Sequence, residues 1–257
     1  LSSNHLSPHE AAATASTLSQ NGKGALQLYV SNNPDGVDEA SLMRVVELCN
    51  AKREENAAYY TNRFITNKVA NALPVFAKEH IRILEPSVGA GGFLPVIFKT
   101  YEYATKVTLE VVDIDGDSIR NLKLLLKRMD VPSNFEIVFH EADFLLVDFP
   151  HRFDMAEAFL EKCLRISDCV ALVLNKTILS SSEYEATRNM LRDMKIDTVI
   201  DFGRYGFNGV SIETMCLIVY PNAAPGKTSV RNTKYNMVLE QRQSYITDRQ
   251  YPSFLIY

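Results

Sequence analysis

The stretch from residue 81 to residue 98 constrains this chain most. The apolar pair Ile81 and Ile83 leads into Leu84-Glu85-Pro86-Ser87-Val88-Gly89-Ala90-Gly91-Gly92, and Phe93-Leu94-Pro95-Val96-Ile97-Phe98 follows at once. A strand closed by a carboxylate, a glycine-rich turn and a bulky apolar start to the next element form one grammatical unit. In an open α/β sheet such a turn, at the end of the first strand, is where nucleotide-like cofactors bind. The glycine spacing departs from G-x-G-x-x-G, which argues against a dinucleotide.

The surrounding periodicity agrees with an α/β layering. Strands are expected over 81–84, 107–112, 135–139, 169–174, 196–202 and 214–220, and helices around 94–103, 118–129 and 183–194. Strand and helix alternate, which implies a doubly wound, mostly parallel sheet covered on both faces. Upstream, 40–57 carries Leu42, Val45, Val46, Leu48 and Cys49 at helical spacing. Thr61 or Asn62 can cap a helix over 64–77, with Ile65, Val69, Leu73 and Phe76 on one face. Residues 1–24 are poor in large apolar groups. Ser7-Pro8-His9-Glu10 can start a short helix there, or the segment is a loosely held arm.

Composition bounds the rest. A chain of 257 residues, 46% hydrophobic with net charge −4, suits one α/β domain or one domain plus an arm. The charge argues against a surface that is all nucleic-acid footprint but permits a local basic face. Cys49, Cys163, Cys169 and Cys216 lie far apart without a Cys-x-x-Cys pair, so structural zinc is not expected and a reducing cytoplasm is. No apolar run is long enough for a bilayer span, and the opening Leu1-Ser2-Ser3 reads as the start of a fragment without a signal peptide.

Three strand ends carry polar residues: Glu85 with the glycines, Asp113 with Ile114, and Asp143 with Phe144. A carboxylate after the second strand can accept from ribose hydroxyls. Ile114 and Phe144 can sandwich a purine, and Asp143 can accept from its exocyclic amine. Taken singly, Asp113 or Asp115 reads equally as a helix cap and Phe144 as a core aromatic. Their order and strand-length spacing favour a nucleoside ligand.

On these residues the chain resembles the amino-group DNA methyltransferases of restriction–modification systems. The resemblance rests on Tyr60-Thr61, on Leu84-Glu85-Pro86-x-x-Gly89-x-Gly91-x-Phe93, on Val112-Asp113-Ile114-Asp115 and on Ala142-Asp143-Phe144-Leu145, and covers about residues 56–220. The order is that of the subgroup with its cofactor cap first, catalytic core next and target recognition last. It implies an S-adenosylmethionine-dependent enzyme that methylates adenine N6 in double-stranded DNA. Tyr60 and Thr61 would lie near the methionine end of the cofactor. Glu85, Pro86, Ser87, Gly89 and Gly91 would line its amino group and the turn. Asp113 would hold the ribose, Ile114 and Phe144 would flank the adenine, and Asp143 would bind its amine. Val173-Leu174-Asn175-Lys176-Thr177 resembles a later strand end, with Asn175 in place of a proline. Phe207, before Asn208-Gly209-Val210, takes the place of an aromatic that stacks on the flipped base, or is a loop anchor.

The family's Asn-Pro-Pro-aromatic sequence, which accepts the hydrogens of the target amine and stacks on the extruded base, is absent. Phe153-Asp154 is the usual lead-in to the fourth strand, yet Met155-Ala156-Glu157-Ala158-Phe159-Leu160 already reads as a helix. A doubly wound sheet without that strand leaves a hole in its core. The expectation is a sequence interrupted between Asp154 and Glu157, where a segment carrying the motif belongs. The rival is a true deletion that leaves a cofactor-binding protein without catalysis.

The division expected is an N-terminal arm and helix over 1–55, a core over 56–222, and the start of a recognition region or a connector over 223–257. That last segment holds Lys227, Arg231, Lys234, Arg242 and Arg249 against Glu240 and Asp248, interleaved with Tyr235, Tyr245, Tyr251 and Tyr257. The mixture suits phosphate contact and base stacking, or a solvated hairpin. N4-cytosine methylation is the near enzymatic rival, RNA or protein-glutamine methylation a more distant one, and a silent binding subunit the rival from another class. The resemblance also implies a prokaryotic cytoplasm and a restriction endonuclease as partner or fusion.

Overall fold

The computed structural model describes residues 4–22, 24–50, 61–146, 155–204 and 212–256, with the side chains of 155–157 left aside. The chain divides into two compact units, residues 1–60 with 75–144 and residues 61–74 with 145–257.

Among the described residues of the first unit, three helices precede the sheet: α1 (Pro8–Gln20), α2 (Ala25–Asn32) and α3 (Glu39–Leu48). The Ser7 start is realised as a reciprocal capping box with Glu10, and Asp38 caps α3 by accepting from the Ser41 amide. Ala11 and Ala15 of α1 are buried with Val45 of α3, so this arm is packed rather than loose. The helix expected over 40–57 ends at Leu48, and 51–57 lie outside the described residues.

The first sheet has order β1-β2-β3, with β1 (His80–Glu85), β2 (Lys106–Asp113) and β3 (Phe135–Glu141) all parallel. Register sets Glu85 opposite Val111 and Asp113 opposite Glu141. The crossovers are α5 (Leu94–Tyr101) and α6 (Gly116–Leu126). Ile119, Leu122 and Leu125 of α6 are buried as their spacing predicts.

The second unit opens with α4 (Arg63–Ala70), capped by Asn62. It is shorter than the 64–77 expected, because Asn71 closes it and Pro74 lacks the N–H a helix needs and restricts Leu73. Then come α7 (Met155–Ile166), β4 (Val170–Asn175), 3-10 turns at Lys176–Leu179 and Ser182–Tyr184, and α8 (Glu185–Arg192). Next are β5 (Lys195–Gly203), β6 (Thr214–Tyr220), β7 (Lys227–Asn232), β8 (Met237–Arg242) and α9 (Gln243–Ile246).

The second sheet has order β4-β6-β5-β7-β8 and is mixed. β6 runs antiparallel to β4 and β5, β5 pairs parallel with β7, and β7 antiparallel with β8. Parallel neighbours need a crossover of roughly a dozen residues or more, which the short β7–β8 connection does not supply. The strong parallel character expected from alternation therefore holds for the first sheet, while the second carries antiparallel pairs. Residues after 222 continue this sheet through β7 and β8. Gln243 of α9 is fully buried, accepting from the Ile196 amide at 2.8 Å and donating to the Met194 carbonyl at 2.7 Å.

The helix read at Met155 is present as α7. β1 and β4 are edge strands of their sheets, and among the described residues no strand pairs with either on its outer side. Residues 147–154, which hold Phe153 and Asp154, lie outside the described residues.

Candidate functional site

The carboxyl ends of β1, β2 and β3 are knitted into one edge. The Val88 amide donates to the Val112 carbonyl at 2.9 Å, and the Ala142 amide to the Asp113 carbonyl at 3.0 Å. Asp113 is the hub: its Oδ2 accepts from the Gly89 amide at 2.8 Å and its Oδ1 from the Asp115 amide at 2.9 Å. Both oxygens keep further lone pairs for a ligand. Burial nonetheless pushes its carboxyl above the usual range, against the two amides that hold it down.

Gly89 and Gly91 take φ of 52° and 83°, where a side chain is strained. A Cβ on Gly91 would also stand 2.8 Å from Leu122 Cδ1 and 3.0 Å from Leu94 Cδ1, so only glycine lets the turn close onto α5 and α6. The turn continues through the Gly91 amide to the Val88 carbonyl at 2.8 Å and the Leu94 amide to the Gly91 carbonyl at 2.9 Å.

Glu85 ends β1 beside this turn. Burial pushes its carboxyl up to about 7, the neighbouring Asp113 charge adds to the rise, and a backbone hydrogen bond at Ser87 opposes it. A carboxylate made this uncomfortable is a ready partner for a cationic group. Pro86 is buried and Ser87 exposed. Ile114 stands 55% exposed at the end of β2, an apolar surface with no core role. Asp143 is half-buried and Phe144 is buried, both following β3.

The structure therefore brings Glu85, Pro86, Ser87, Gly89, Gly91, Asp113, Ile114, Asp143 and Phe144 together in the first unit. Thr61 belongs to the second unit, directly before the Asn62 cap. Tyr60 and Phe207 lie outside the described residues. The cap alternative is realised at Asp115, which accepts from the Asp117 amide at 3.2 Å and from the Ser118 hydroxyl at 3.2 Å.

One neighbour of the site was not foreseen. The Glu141 carboxylate fills the space where a Cβ on Gly116 would sit, within 2.4–2.6 Å of that position. The register of β3 on β2 fixes this meeting, and only the adjacency of Asp115 and Gly116 in the sequence hinted at it.

In the second unit, Lys176 at the end of β4 pairs with Asp201 at the end of β5, with Nζ 2.7 Å from Oδ2, and lies 3.9 Å from Glu213. An open cavity of about 480 Å³ adjoins them, lined by Asn175, Thr177, Phe254 and Ile256 among others. Asn175, which replaces the expected proline, starts the 3-10 turn by accepting from the Thr177 amide at 3.0 Å. Among the described residues, no cluster of His, Cys, Asp and Glu could hold a metal ion, and no helix is long and apolar enough to cross a membrane.

No protein-family model matches the sequence, and no curated protein matches it. Solved structures do resemble it in fold. A class I S-adenosylmethionine-dependent methyltransferase of Listeria monocytogenes, itself described as putative, superposes with TM-score 0.58 at 14% identity, over 86% of this chain and 84% of that one. A modification subunit of a type I restriction enzyme from Vibrio vulnificus YJ016, likewise described as putative, gives 0.57 at 13%, over 81% of this chain and 62% of that one. The type IIL restriction–modification enzyme MmeI, solved in complex with DNA, gives 0.58 at 13%, over 81% of this chain and 43% of that one. The fold is that of class I S-adenosylmethionine-dependent methyltransferases. The chain spans less than two thirds of the two restriction–modification proteins it resembles.

Proposed function

We propose that the chain is the S-adenosylmethionine-binding part of a restriction–modification DNA methyltransferase acting on adenine N6 in duplex DNA. The observation that carries this is the three-strand edge, where Glu85, the Gly89–Gly91 turn, Asp113, Ile114, Asp143 and Phe144 converge in the order such a ligand needs. Glu85 suits the methionine ammonium, Asp113 the ribose hydroxyls, and Asp143 the adenine amine, with Ile114 and Phe144 as its apolar faces. Tyr60 and Thr61 would cap the methionine end. The bound cofactor supplies an electrophilic methyl on sulfur; the chain's own residues bind it and fix its direction. The folds of the type I and type IIL proteins support a DNA substrate, reached by base flipping, and a restriction endonuclease as partner or fusion in a prokaryotic cytoplasm. Phe207 would stack on the extruded base.

A second reading, a silent cofactor-binding subunit, is favoured by one observation: α7 starts at Met155, and no Asn-Pro-Pro-aromatic sequence stands anywhere in the chain. Methyl transfer from isotopically labelled cofactor to DNA, followed by nucleoside digestion, decides. Label in N6-methyladenine supports the enzyme, and label in N4-methylcytosine reassigns the target. Cofactor binding without transfer supports the silent subunit.

A further inference from the structure

We propose that the N-terminal arm, α1 to α3, is a positioning element for the glycine turn, acting through Ala90. The proposal rests on the reading of that turn as the methyl-donor site. Ala90 stands between Gly89 and Gly91 and is 4% exposed. It is buried in one cluster with Val30 of α2, with Leu42, Met43 and Val46 of α3, and with Leu125 of α6.

The turn is thus held from two sides. Asp113 holds its polar side through the Gly89 amide, and the arm packs its apolar side through Ala90. The glycines themselves offer no side chain to anchor, and Ala90 is the turn residue that belongs to the arm's buried cluster. The arm is in turn fixed to the core: Gln27 donates to Asn121 of α6 at 3.0 Å, and the Arg128 guanidinium donates to the Ser31 carbonyl at the end of α2. Loss of packing within the Ala90 cluster therefore changes the support against which the turn keeps its positive-φ backbone. By linkage, a ligand that needs the turn in this shape steadies the arm by the same factor.

Two neighbouring valines on α3 separate this role from general stability. Val46 is buried in the cluster that contains Ala90, whereas Val45 is buried with Ala11 and Ala15 of α1. Val46→Ala and Val45→Ala remove the same two methyl carbons from sites that are 4% and 0% exposed, and both lower the melting temperature. The test measures calorimetric affinity for S-adenosylhomocysteine together with amide hydrogen exchange over residues 86–93. Val46→Ala is expected to weaken binding roughly three- to tenfold and to speed exchange in the turn. Val45→Ala is expected to leave both close to wild type. Equal effects of the two variants, on affinity and on exchange, overturn the proposal. A wild-type chain that binds no S-adenosylhomocysteine overturns the methyl-donor reading instead, and the exchange comparison still decides the arm's role. If Val46→Ala does not fold, Met43→Ala, at 7% exposure in the same cluster, takes its place.

Discussion

Glu85 and Asp113 show how two carboxylates a register apart are given different duties. Glu85 is held up to about 7 mainly by burial. It therefore takes up a proton on folding between the unfolded carboxylate range and about pH 7. The stability it contributes is full below about pH 4.5 and is lost as pH rises through about 7. Glu85→Gln is expected to raise the melting temperature at pH 8 and not at pH 5. It should also weaken the binding of a ligand bearing an ammonium and flatten the rise of affinity between pH 6 and 8. Thermal scans and titrations at three pH values check both halves; a variant less stable at pH 8 than wild type would contradict the first. Asp113 is bound to the scaffold, since the amides of Gly89 and Asp115 divide its two oxygens, and in the proposed function it also accepts from the ligand. Asp113→Asn leaves only one oxygen for those amides, so it is expected to cost about 1–2 kcal/mol of stability and to weaken cofactor binding. Asp143→Ala should weaken binding through loss of the adenine acceptor. Unchanged dissociation constants in these two variants would remove the residues from the site.

At the scale of elements, two arginines of α8 hold the end of the described chain. Arg188 is fully buried and donates to the carbonyls of Pro252 at 2.7 Å, Ile178 at 2.8 Å and Ser181 at 2.7 Å. Arg192 donates to Thr247 and Tyr251 at 3.1 and 2.7 Å, and its guanidinium lies 5.3 Å from the Phe254 ring centroid. Arg188→Met removes its donors from the Pro252 and Ile178 carbonyls, while the Ser181 carbonyl keeps the Tyr184 amide at 3.2 Å; it is expected to cost about 3 kcal/mol, with faster proteolysis after residue 246. A melting temperature within about 2 °C of wild type would contradict this. Such elements mark where sequence reading stops. The three parallel strands, α5, α6 and the capped start of α1 were legible because local period and capping residues specify them. β7 and β8 were legible only as one alternative, a hairpin, because Lys227–Asn232 and Met237–Arg242 mix charged with apolar residues; β7 owes its state to pairing on β5, and β8 to pairing on β7. The 3-10 turn after Asn175 was hidden by its likeness to a strand end that usually holds proline. The placement of Glu85, Asp113 and Asp143 at or just after the three strand ends was legible because the period-2 runs before them mark those ends. Ala90 and Glu141 were not, since their roles depend on which helix or strand packs beside them.

At the scale of the molecule, the described residues form one parallel and one mixed sheet, with β1 at one edge of the first and β4 at one edge of the second. The first sheet carries the residues suited to a methyl donor. The sequence between Asp154 and Glu157 carries none of the Asn-Pro-Pro-aromatic residues suited to an acceptor amine. In the proposed function donor binding and methyl transfer are therefore separable, and donor binding is the more basic of the two. Calorimetric titration with S-adenosylmethionine, S-adenosylhomocysteine, ATP and NAD tests it most directly. Saturable binding of one molecule of either S-adenosyl compound, lost in Asp143→Ala, with no comparable binding of ATP or NAD, is the predicted result. No binding of the S-adenosyl compounds, or tighter binding of NAD, would contradict it.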